Sequence, residues 1–203
     1  MQPTLTIRGF QLFRSQLDRD EQVALVAELR HVLQAAPLVQ PVTPSGKPMS
    51  VRMSAAGRLG WITDQKGYRY TKAHPSGAPW PPIPPAILAL WRDVTGYARQ
   101  PDCCLINWYG KGAKMGMHQD RDEGDFTWPV VSISLGDAAL FRMGNVERGG
   151  KTESFWLESG DVVVMGGEAR LAYHGVDRVK HGSSALLKNG GRINLTLRVV
   201  DIA

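Results

Sequence analysis

The residue types best suited to chemistry lie in the segment KMGMHQDRDE, where His118 and Asp120 are two positions apart. On a β-strand, residues i and i+2 point to the same face, so this imidazole and this carboxylate could bind one metal ion. His174 is the candidate for a third ligand, because it follows the strand-like segment DVVVMGG and could lie beside the first pair in a closed barrel. Two histidines and one carboxylate, with the remaining positions open, are the ligand set of non-haem Fe(II) oxygenases.

The competing interpretation gives these residues structural roles. A His-x-Asp pair also arises by chance, and a single histidine is more often hydrogen-bonded in a core or at a surface than bound to metal. His31, His74 and His181 have no ligand pattern around them, and we expect His181 at the surface. The metal hypothesis therefore depends on the fold bringing the first three residues together.

The segment RINLTLR, residues 192–198, alternates strictly between polar and apolar side chains. This period of two predicts a strand with one polar and one apolar face. If the polar face meets water, its two arginines say little about function. If it faces the inside of a barrel, Arg192 and Arg198 need an anion. A 2-oxoglutarate molecule would supply one, because the planar guanidinium binds carboxylates through two hydrogen bonds.

The elements that would position these residues differ on the two sides of residue 101. Helical spacing predicts an amphipathic helix over 19–34 and a second over 85–97. Residues 36–56 look irregular, and the aromatic and basic segment 57–83 predicts a loop or short hairpin. The apolar residues that we expect the first helix to bury are Val23, Leu25, Val26, Leu29 and Val32.

The second half of the chain contains short strand-like segments, most of them separated by turns with Gly, Asp or Asn. Short strands at regular spacing are typical of an all-β sandwich or barrel. We therefore expect an N-terminal helical extension with a lid in residues 1–100 and a β-barrel core in residues 101–203. The length suits one integrated domain.

Composition narrows the class of protein. The chain has 203 residues and a formal net charge of +5, which suits a polyanionic partner such as nucleic acid. Its two cysteines, Cys103 and Cys104, are adjacent, so no disulfide framework or zinc pattern is present. No apolar run is long enough for a membrane span, and the N-terminus lacks a signal-peptide pattern. We expect a cytoplasmic protein that does not associate with membranes.

In the segments that carry the candidate metal ligands and arginines, the chain resembles the AlkB family of Fe(II)/2-oxoglutarate dioxygenases, which are oxidative demethylases of alkylated nucleobases. The segments LINWY, HQDRDE, GDVVVMGGEARLAYHGV and RINLTLR occur in the family's order. The resemblance implies an α+β, mainly β fold: a double-stranded β-helix, or jelly-roll, barrel with N-terminal helices and a nucleotide-recognition lid. It also implies Fe(II) as cofactor, with 2-oxoglutarate and O2 as co-substrates.

The resemblance implies a role for each site residue. The metal ligands would be His118, Asp120 and His174. The residues that would form the 2-oxoglutarate pocket are Arg192, Arg198, Asn194, Asn107 and Tyr109.

A second set would bind the substrate. Trp61 would stack on the flipped damaged base, and His118 would lie on the base's other side. Tyr68 would contact the substrate near its backbone, and Asp122 would approach the exocyclic amino group as part of the catalytic site. Arg148 falls where the family has a basic residue that contacts substrate. The basic lid residues that would suit a phosphate backbone are Lys66, Arg69 and Lys72.

The implied reaction is demethylation of N1-methyladenine and N3-methylcytosine in single- or double-stranded DNA, or in RNA, with release of formaldehyde, succinate and CO2. It would serve the repair of DNA alkylation damage, and a monomer is expected. Two alternatives stay open: a dioxygenase that acts on a protein or small molecule, and a binding module without turnover. The aromatic, basic lid argues against the first, and the complete set of metal ligands and arginines argues against the second.

Overall fold

Two antiparallel sheets carry most of the chain in the computed structural model, which describes residues 2–200. The larger sheet contains β1 (Leu5–Ile7), β2 (Phe10–Phe13), β3 (Val51–Gly57), β6 (Cys103–Tyr109), β8 (Val130–Gly136), β11 (Val162–Met165) and β13 (Arg192–Arg198). The smaller sheet contains β7 (Met115–His118), β9 (Ala138–Met143), β10 (Glu153–Leu157) and β12 (His174–Lys180). A separate hairpin consists of β4 (Gly60–Asp64) and β5 (Gly67–Thr71).

The strand orders are β1-β2-β11-β8-β13-β6-β3 in the larger sheet and β10-β9-β12-β7 in the smaller one. Phe141 and Val176 of the smaller sheet share one buried apolar cluster with Leu105 and Val163 of the larger sheet. This is a jelly-roll arrangement, and it confirms the predicted mainly β fold. The division at residue 100 stays a prediction, although the N-terminal strands join the larger sheet.

Two helices pack on the outer side of the larger sheet. Helix α1 (Arg19–Ala35) begins at a capping box, in which Asp18 accepts from the backbone N–H of Glu21 and the Glu21 carboxylate accepts from that of Asp18. Helix α2 (Pro85–Thr95) opens with proline in its first turn. Neither helix of the described chain is long and apolar enough to cross a membrane.

Both helix predictions are confirmed, within two residues at each end. The expectation for Val23 is wrong, because this side chain is 50% exposed and Gln22 is buried instead. Gln22 is buried because it donates a hydrogen bond to the carbonyl of Leu17 and accepts one from the hydroxyl of Ser159. These polar partners allow Gln22 to lie in the buried face, and the other four predicted residues of the helix are buried as expected.

The segment 36–56 is not irregular throughout, since β3 occupies its end and pairs with β6 over seven residues. The sequence of β3, VRMSAAG, has one β-branched residue and no aromatic one, so it lacks the usual composition of a strand. Pairing with β6 and burial of its small side chains make it a strand. Tertiary context, rather than local preference, decides this element.

Strand β13 has two faces, as the alternation predicts, and neither face meets bulk water. Leu195, Ile193 and Leu197 belong to the buried cluster that includes the helices. The polar residues of the strand line a cavity between the two sheets instead. These residues are Arg192, Asn194, Thr196 and Arg198, and all four are buried.

We expect Leu195→Ala to lower the free energy of unfolding by about 2–5 kcal/mol, because it leaves a hole in a fully buried cluster. The neighbouring change Thr196→Ser removes one methyl group on the cavity side and should cost about 1 kcal/mol or less. Urea denaturation of both variants measures the difference. Equal losses would contradict the assignment of the two residues to opposite faces.

Candidate active site

The three predicted metal ligands lie together at one end of the smaller sheet. His118 ends β7, His174 begins β12, and the two residues face each other in the register of that strand pair. Asp120 follows β7 by two positions. The side-chain Nε2 atoms of His118 and His174 each lie 3.8 Å from a carboxylate oxygen of Asp120. The nearest ligand atoms of the three side chains all fall within 4.8 Å of one another.

Gly175 allows this close pairing of the two strands. A Cβ atom at this position would lie 2.6 Å from the carbonyl oxygen of Met115 and 2.9 Å from that of Gly116, both on β7. Any side chain would therefore push β7 away from β12. The distance between His118 and His174 depends on this contact.

Backbone carbonyl groups orient both imidazoles. Nδ1 of His118 lies 2.9 Å from the carbonyl oxygen of Gly116, and Nδ1 of His174 lies 3.0 Å from that of Ala172. A carbonyl can only accept, so each Nδ1 carries the proton in the neutral ring. Each Nε2 then has a free lone pair that points towards Asp120. This is the usual support for a metal-bound histidine.

Electrostatics favour the protonation states that bind metal. Burial raises the pKa of Asp120, but the Arg198 guanidinium at 2.7 Å and the two nearby imidazoles outweigh it and bring the pKa well below the usual range. Burial is also the main cause that lowers the pKa of His174 to about 4. The other oxygen of Asp120, Oδ2, has no hydrogen-bond partner among the described residues. An ionised carboxylate and a neutral imidazole fit a divalent cation.

A cavity of about 500 Å³ extends from this cluster to the surface. Its inner wall contains the polar face of β13, and its outer part contains the hairpin β4–β5. Most of the predicted site residues line it: Asn107, Tyr109, His118, Asp120, Asp122, His174, Arg192, Asn194, Arg198, Trp61 and Tyr68. Met165 also lines the cavity and is buried in β11.

The two arginines of β13 differ in their partners. Arg198 lies between two carboxylates, with Nη2 at 2.7 Å from Asp120 and Nε at 3.5 Å from Glu123. Arg192 is 1% exposed and forms no ion pair with any residue of the described chain, 2–200. Its Nε and Nη1 atoms are buried without a hydrogen-bond partner there. Burial lowers the pKa of Arg192, but a guanidinium stays charged.

Neutral groups surround Arg192 and complete this end of the cavity. Its Nη2 donates to the hydroxyl of Ser134 at 3.0 Å, and its guanidinium carbon lies 5.1 Å from the centre of the Tyr109 ring. Further along β13, Asn194 donates to the hydroxyl of Ser132 at 2.7 Å and accepts from Thr196 at 3.1 Å. This polar, unneutralised pocket fits a carboxylate of a small dianion.

The hairpin β4–β5 forms the outer wall. The ring of Trp61 stacks on that of Tyr68 with centres 5.5 Å apart. The indole N–H of Trp61 donates to Oδ2 of Asp122 at 2.7 Å. Tyr68 is 52% exposed, whereas Trp61 is half-buried. An aromatic surface and a carboxylate therefore meet at the mouth of the cavity.

Some predicted substrate residues have other partners. Arg148 lies outside the cavity wall, with its guanidinium 5.8 Å from the centre of the Tyr173 ring. Arg69 forms two hydrogen bonds with Asp64, at 2.6 and 2.8 Å, so its charge is largely balanced within the hairpin. Lys66 and Lys72 are exposed.

The sequence does not predict the contacts of three residues next to the site: Glu123, Arg170 and Tyr70. Glu123 stands in the HQDRDE segment, but a charged residue in an acidic loop gives no sign of burial. Arg170 and Tyr70 come from distant parts of the chain, and no local pattern distinguishes them. The structure brings all three against Arg198 or the loop that carries Asp120.

Comparison with known proteins gives consistent results. A profile of the 2OG-Fe(II) oxygenase superfamily matches residues 9–198. An alpha-ketoglutarate-dependent dioxygenase AlkB homolog of Caulobacter vibrioides is 52% identical over 197 residues, which are 97% of this chain and 90% of that protein. The solved structure of OsALKBH1 superposes with a TM-score of 0.82 at 30% identity, covering 96% of this chain and all of that one.

A more distant relative is named for its substrate. The DNA N(6)-methyladenine demethylase ALKBH1D of Arabidopsis thaliana is 32% identical over 218 aligned positions. The alignment covers 94% of this chain and 49% of that protein.

We expect His174→Ala to weaken Fe(II) binding by more than about 100-fold, because it removes a direct ligand from a site with three. Anaerobic calorimetric titration with Fe(II) measures this. His181→Ala is the matched control, since this partly exposed imidazole lies beside Asp137 and away from the cavity. Wild-type affinity in His174→Ala would show that the metal binds elsewhere.

Proposed function

This chain belongs to the 2OG-Fe(II) oxygenase superfamily and to its AlkB family, and we propose that it removes alkyl groups from nucleobases by oxidation. One observation carries the assignment of its site. Arg192 is a buried arginine without an anionic partner among residues 2–200, and it lies in the same cavity as an open set of three metal ligands. Iron with a dicarboxylate co-substrate satisfies both features at once.

The residues present fit both groups. His118, Asp120 and His174 would hold iron through two Nε2 atoms and the free oxygen of the carboxylate. Arg192 would bind the far carboxylate of 2-oxoglutarate. Arg198 would orient the end nearer the metal, because its hydrogen bond to Asp120 holds it beside the metal ligands. The proposed neutral contacts in this pocket are Asn107, Tyr109 and Asn194.

When bound, iron(II), 2-oxoglutarate and O2 supply the oxidation that turns an N-methyl group into an N-hydroxymethyl group, with release of succinate and CO2. The hydroxymethyl group then leaves as formaldehyde: the C–N bond breaks, the nitrogen keeps the electron pair, and the hydroxyl proton goes to solvent from a cationic base or to the nitrogen of a neutral one. The chain's contribution is to hold the co-substrate and present the base. A cavity enclosed between two sheets also limits access of water to the reacting groups.

The residues at the mouth of the cavity would recognise the base. We place the flipped base between Trp61 and His118, which both line the cavity. Stacking on an indole compensates for the base stacking lost on extrusion, by about 1–3 kcal/mol. Trp61 binds one oxygen of Asp122, which leaves the other oxygen free to accept from the exocyclic amino group.

Charge favours a particular class of lesion. N1-methyladenine and N3-methylcytosine carry a positive charge at neutral pH, whereas N6-methyladenine does not. Asp122 is exposed at the cavity mouth and would attract the cationic bases. We therefore propose cationic methylated bases in DNA, single- or double-stranded, as the main substrates, with RNA as the alternative polymer.

The nucleic acid backbone requires a basic surface. The chain carries a net charge of +5, and Lys66 and Lys72 are exposed on and beside the hairpin. Tyr68 is exposed next to Trp61 and is placed to contact the nucleotide near its backbone. We propose that the protein acts as a monomer in the cytoplasm, in the repair of alkylated DNA.

The function is tested by a product assay on oligonucleotides that carry one N1-methyladenine, N3-methylcytosine or N6-methyladenine, as DNA and as RNA. We expect formaldehyde release and restored bases, fastest with the two cationic lesions and absent when 2-oxoglutarate is omitted. A methylated peptide serves as the alternative substrate. Turnover of the peptide but of none of the oligonucleotides would overturn the proposal.

The same assay tests the role of Asp122. Asp122→Asn should lower kcat/KM for N1-methyladenine about tenfold, which is about 1.4 kcal/mol, and change that for N6-methyladenine much less. Asp125→Asn is the control, because this acidic residue three positions later binds Thr127 and not the cavity. An equal loss for both lesions would show that Asp122 does not recognise charge.

Arg192→Lys should raise the KM for 2-oxoglutarate about 10–100-fold, because lysine keeps the charge but loses the two-pronged hydrogen bonding. Fe(II) affinity should not change, since Arg192 forms no contact with the metal ligands. Arg30→Lys, at an exposed position of α1, is the control for the change of residue type. An unchanged KM in Arg192→Lys would place the co-substrate elsewhere.

A further inference from the structure

Glu123 is a buried carboxylate that is neither a predicted metal ligand nor a proposed contact of the co-substrate. It lies at the centre of a network of hydrogen bonds and ion pairs. Its side chain is 1% exposed. One oxygen, Oε2, accepts from Nη2 of Arg170 at 2.9 Å. The other, Oε1, accepts a hydrogen bond from the Tyr70 hydroxyl and lies 3.5 Å from Nε of Arg198.

The first consequence concerns Arg198. Asp120 accepts a hydrogen bond from its Nη2, and Glu123 forms an ion pair with its Nε, so two nitrogen atoms of one guanidinium each face an anion. With Asp120 alone, only one nitrogen atom would be held. The second carboxylate restricts the rotation of the group further. The orientation of Arg198 towards the cavity therefore depends on Glu123 as well as on Asp120.

Arg170 fixes the loop that carries both carboxylates. Besides its ion pair with Glu123, it donates to the backbone carbonyl of Asp120 at 2.6 Å and to that of Trp128 at 2.7 Å. Arg170 is itself 4% exposed. Two arginines and two carboxylates thus balance each other inside the protein, which lowers the cost of burying them.

The second consequence concerns the hairpin β4–β5. Tyr70 lies on β5, directly opposite Trp61 in the register of the two strands. Its hydroxyl binds Glu123, whereas the indole of Trp61 binds Asp122 on the same loop. The hairpin is therefore joined to the loop that carries Asp120 through neighbouring positions on both strands. Glu123 is the inner of these two attachment points.

We propose that Glu123 is a positioning residue that connects the two ends of the site. It holds Arg198 for the co-substrate and, through the Tyr70 hydroxyl, holds the hairpin strand that faces Trp61. The inference rests on the proposed function in assigning Arg198 to 2-oxoglutarate and Trp61 to the base. It adds that both assignments depend on one carboxylate that touches neither ligand.

The first experiment separates positioning from general stability. Fe(II)-loaded protein is titrated with 2-oxoglutarate without oxygen, and the absorption band of the metal–keto-acid complex gives the dissociation constant. Glu123→Gln should raise this constant about tenfold. Asp161→Asn is the matched control, because Asp161 is also a buried carboxylate, bound to Arg14 at 2.5 Å and to backbone N–H groups. It should lower the melting temperature without changing the dissociation constant.

The second experiment tests the link to the hairpin. Amide hydrogen exchange over residues 60–71 is measured in the Fe(II)–2-oxoglutarate complex without oxygen. Tyr70→Phe removes only the hydroxyl and should speed exchange in this segment several-fold, as should Glu123→Ala, which removes both acceptor oxygens. The double variant of Tyr70→Phe and Glu123→Ala should be no faster than Glu123→Ala alone, since Tyr70 acts through Glu123. Tyr97→Phe, at an exposed tyrosine two residues after the end of α2, should leave exchange unchanged.

Wild-type affinity for 2-oxoglutarate in Glu123→Gln, or additive effects in the double variant, would overturn the inference. If the Glu123 variants do not fold, hydrogen exchange in Tyr70→Phe decides, and an unchanged hairpin then refutes the inference. Neither readout uses nucleic acid. A wild-type protein that binds 2-oxoglutarate but restores no methylated base would therefore refute the proposed function separately.

Discussion

The burial of β13 along its whole length is the constraint on which the rest of the structure depends. Every residue from Arg192 to Arg198 is buried, so the polar face of the strand needs partners just as the apolar face does. The helices cover one face and the smaller sheet encloses the other. An unpaired buried charge costs several kcal/mol. The partners of the two arginines therefore determine what the cavity is for.

The metal ligands are positioned mainly by backbone geometry. His118 and His174 face each other because β7 and β12 are paired, and Gly175 lets those strands approach closely. Backbone carbonyls then set both ring orientations. Only Asp120 depends on side chains, and it sits in a network of buried charges. A site built in this way is organised before any ligand enters, which reduces the entropy lost on binding.

The sequence predicts the parts of the site that lie on regular elements. Strict alternation gives the two faces of β13. The pairing of His118 with Asp120 is also predicted, although Asp120 lies two residues past the end of β7 and not on a strand. The sequence does not predict Val23 or β3, because the packing of neighbouring segments overrides the local pattern there. It also misses Glu123 and Tyr70, whose roles arise only when the hairpin folds over the loop after β7. The sequence predicts Arg69 as a contact for phosphate but does not predict its hydrogen bonds to Asp64.

On the proposed assignment, the two arginines contribute to co-substrate binding in different ways. Arg198 is already paired with Asp120 and Glu123, so a carboxylate that approaches it competes with anions in place. Its main effect is then to orient the co-substrate beside the metal. In the described part of the chain Arg192 has no competing anion, and a far carboxylate gains a buried ion pair there without breaking one. Most of the binding free energy should therefore come from the end of β13 farther from the metal, and the geometry of the reaction from the nearer end.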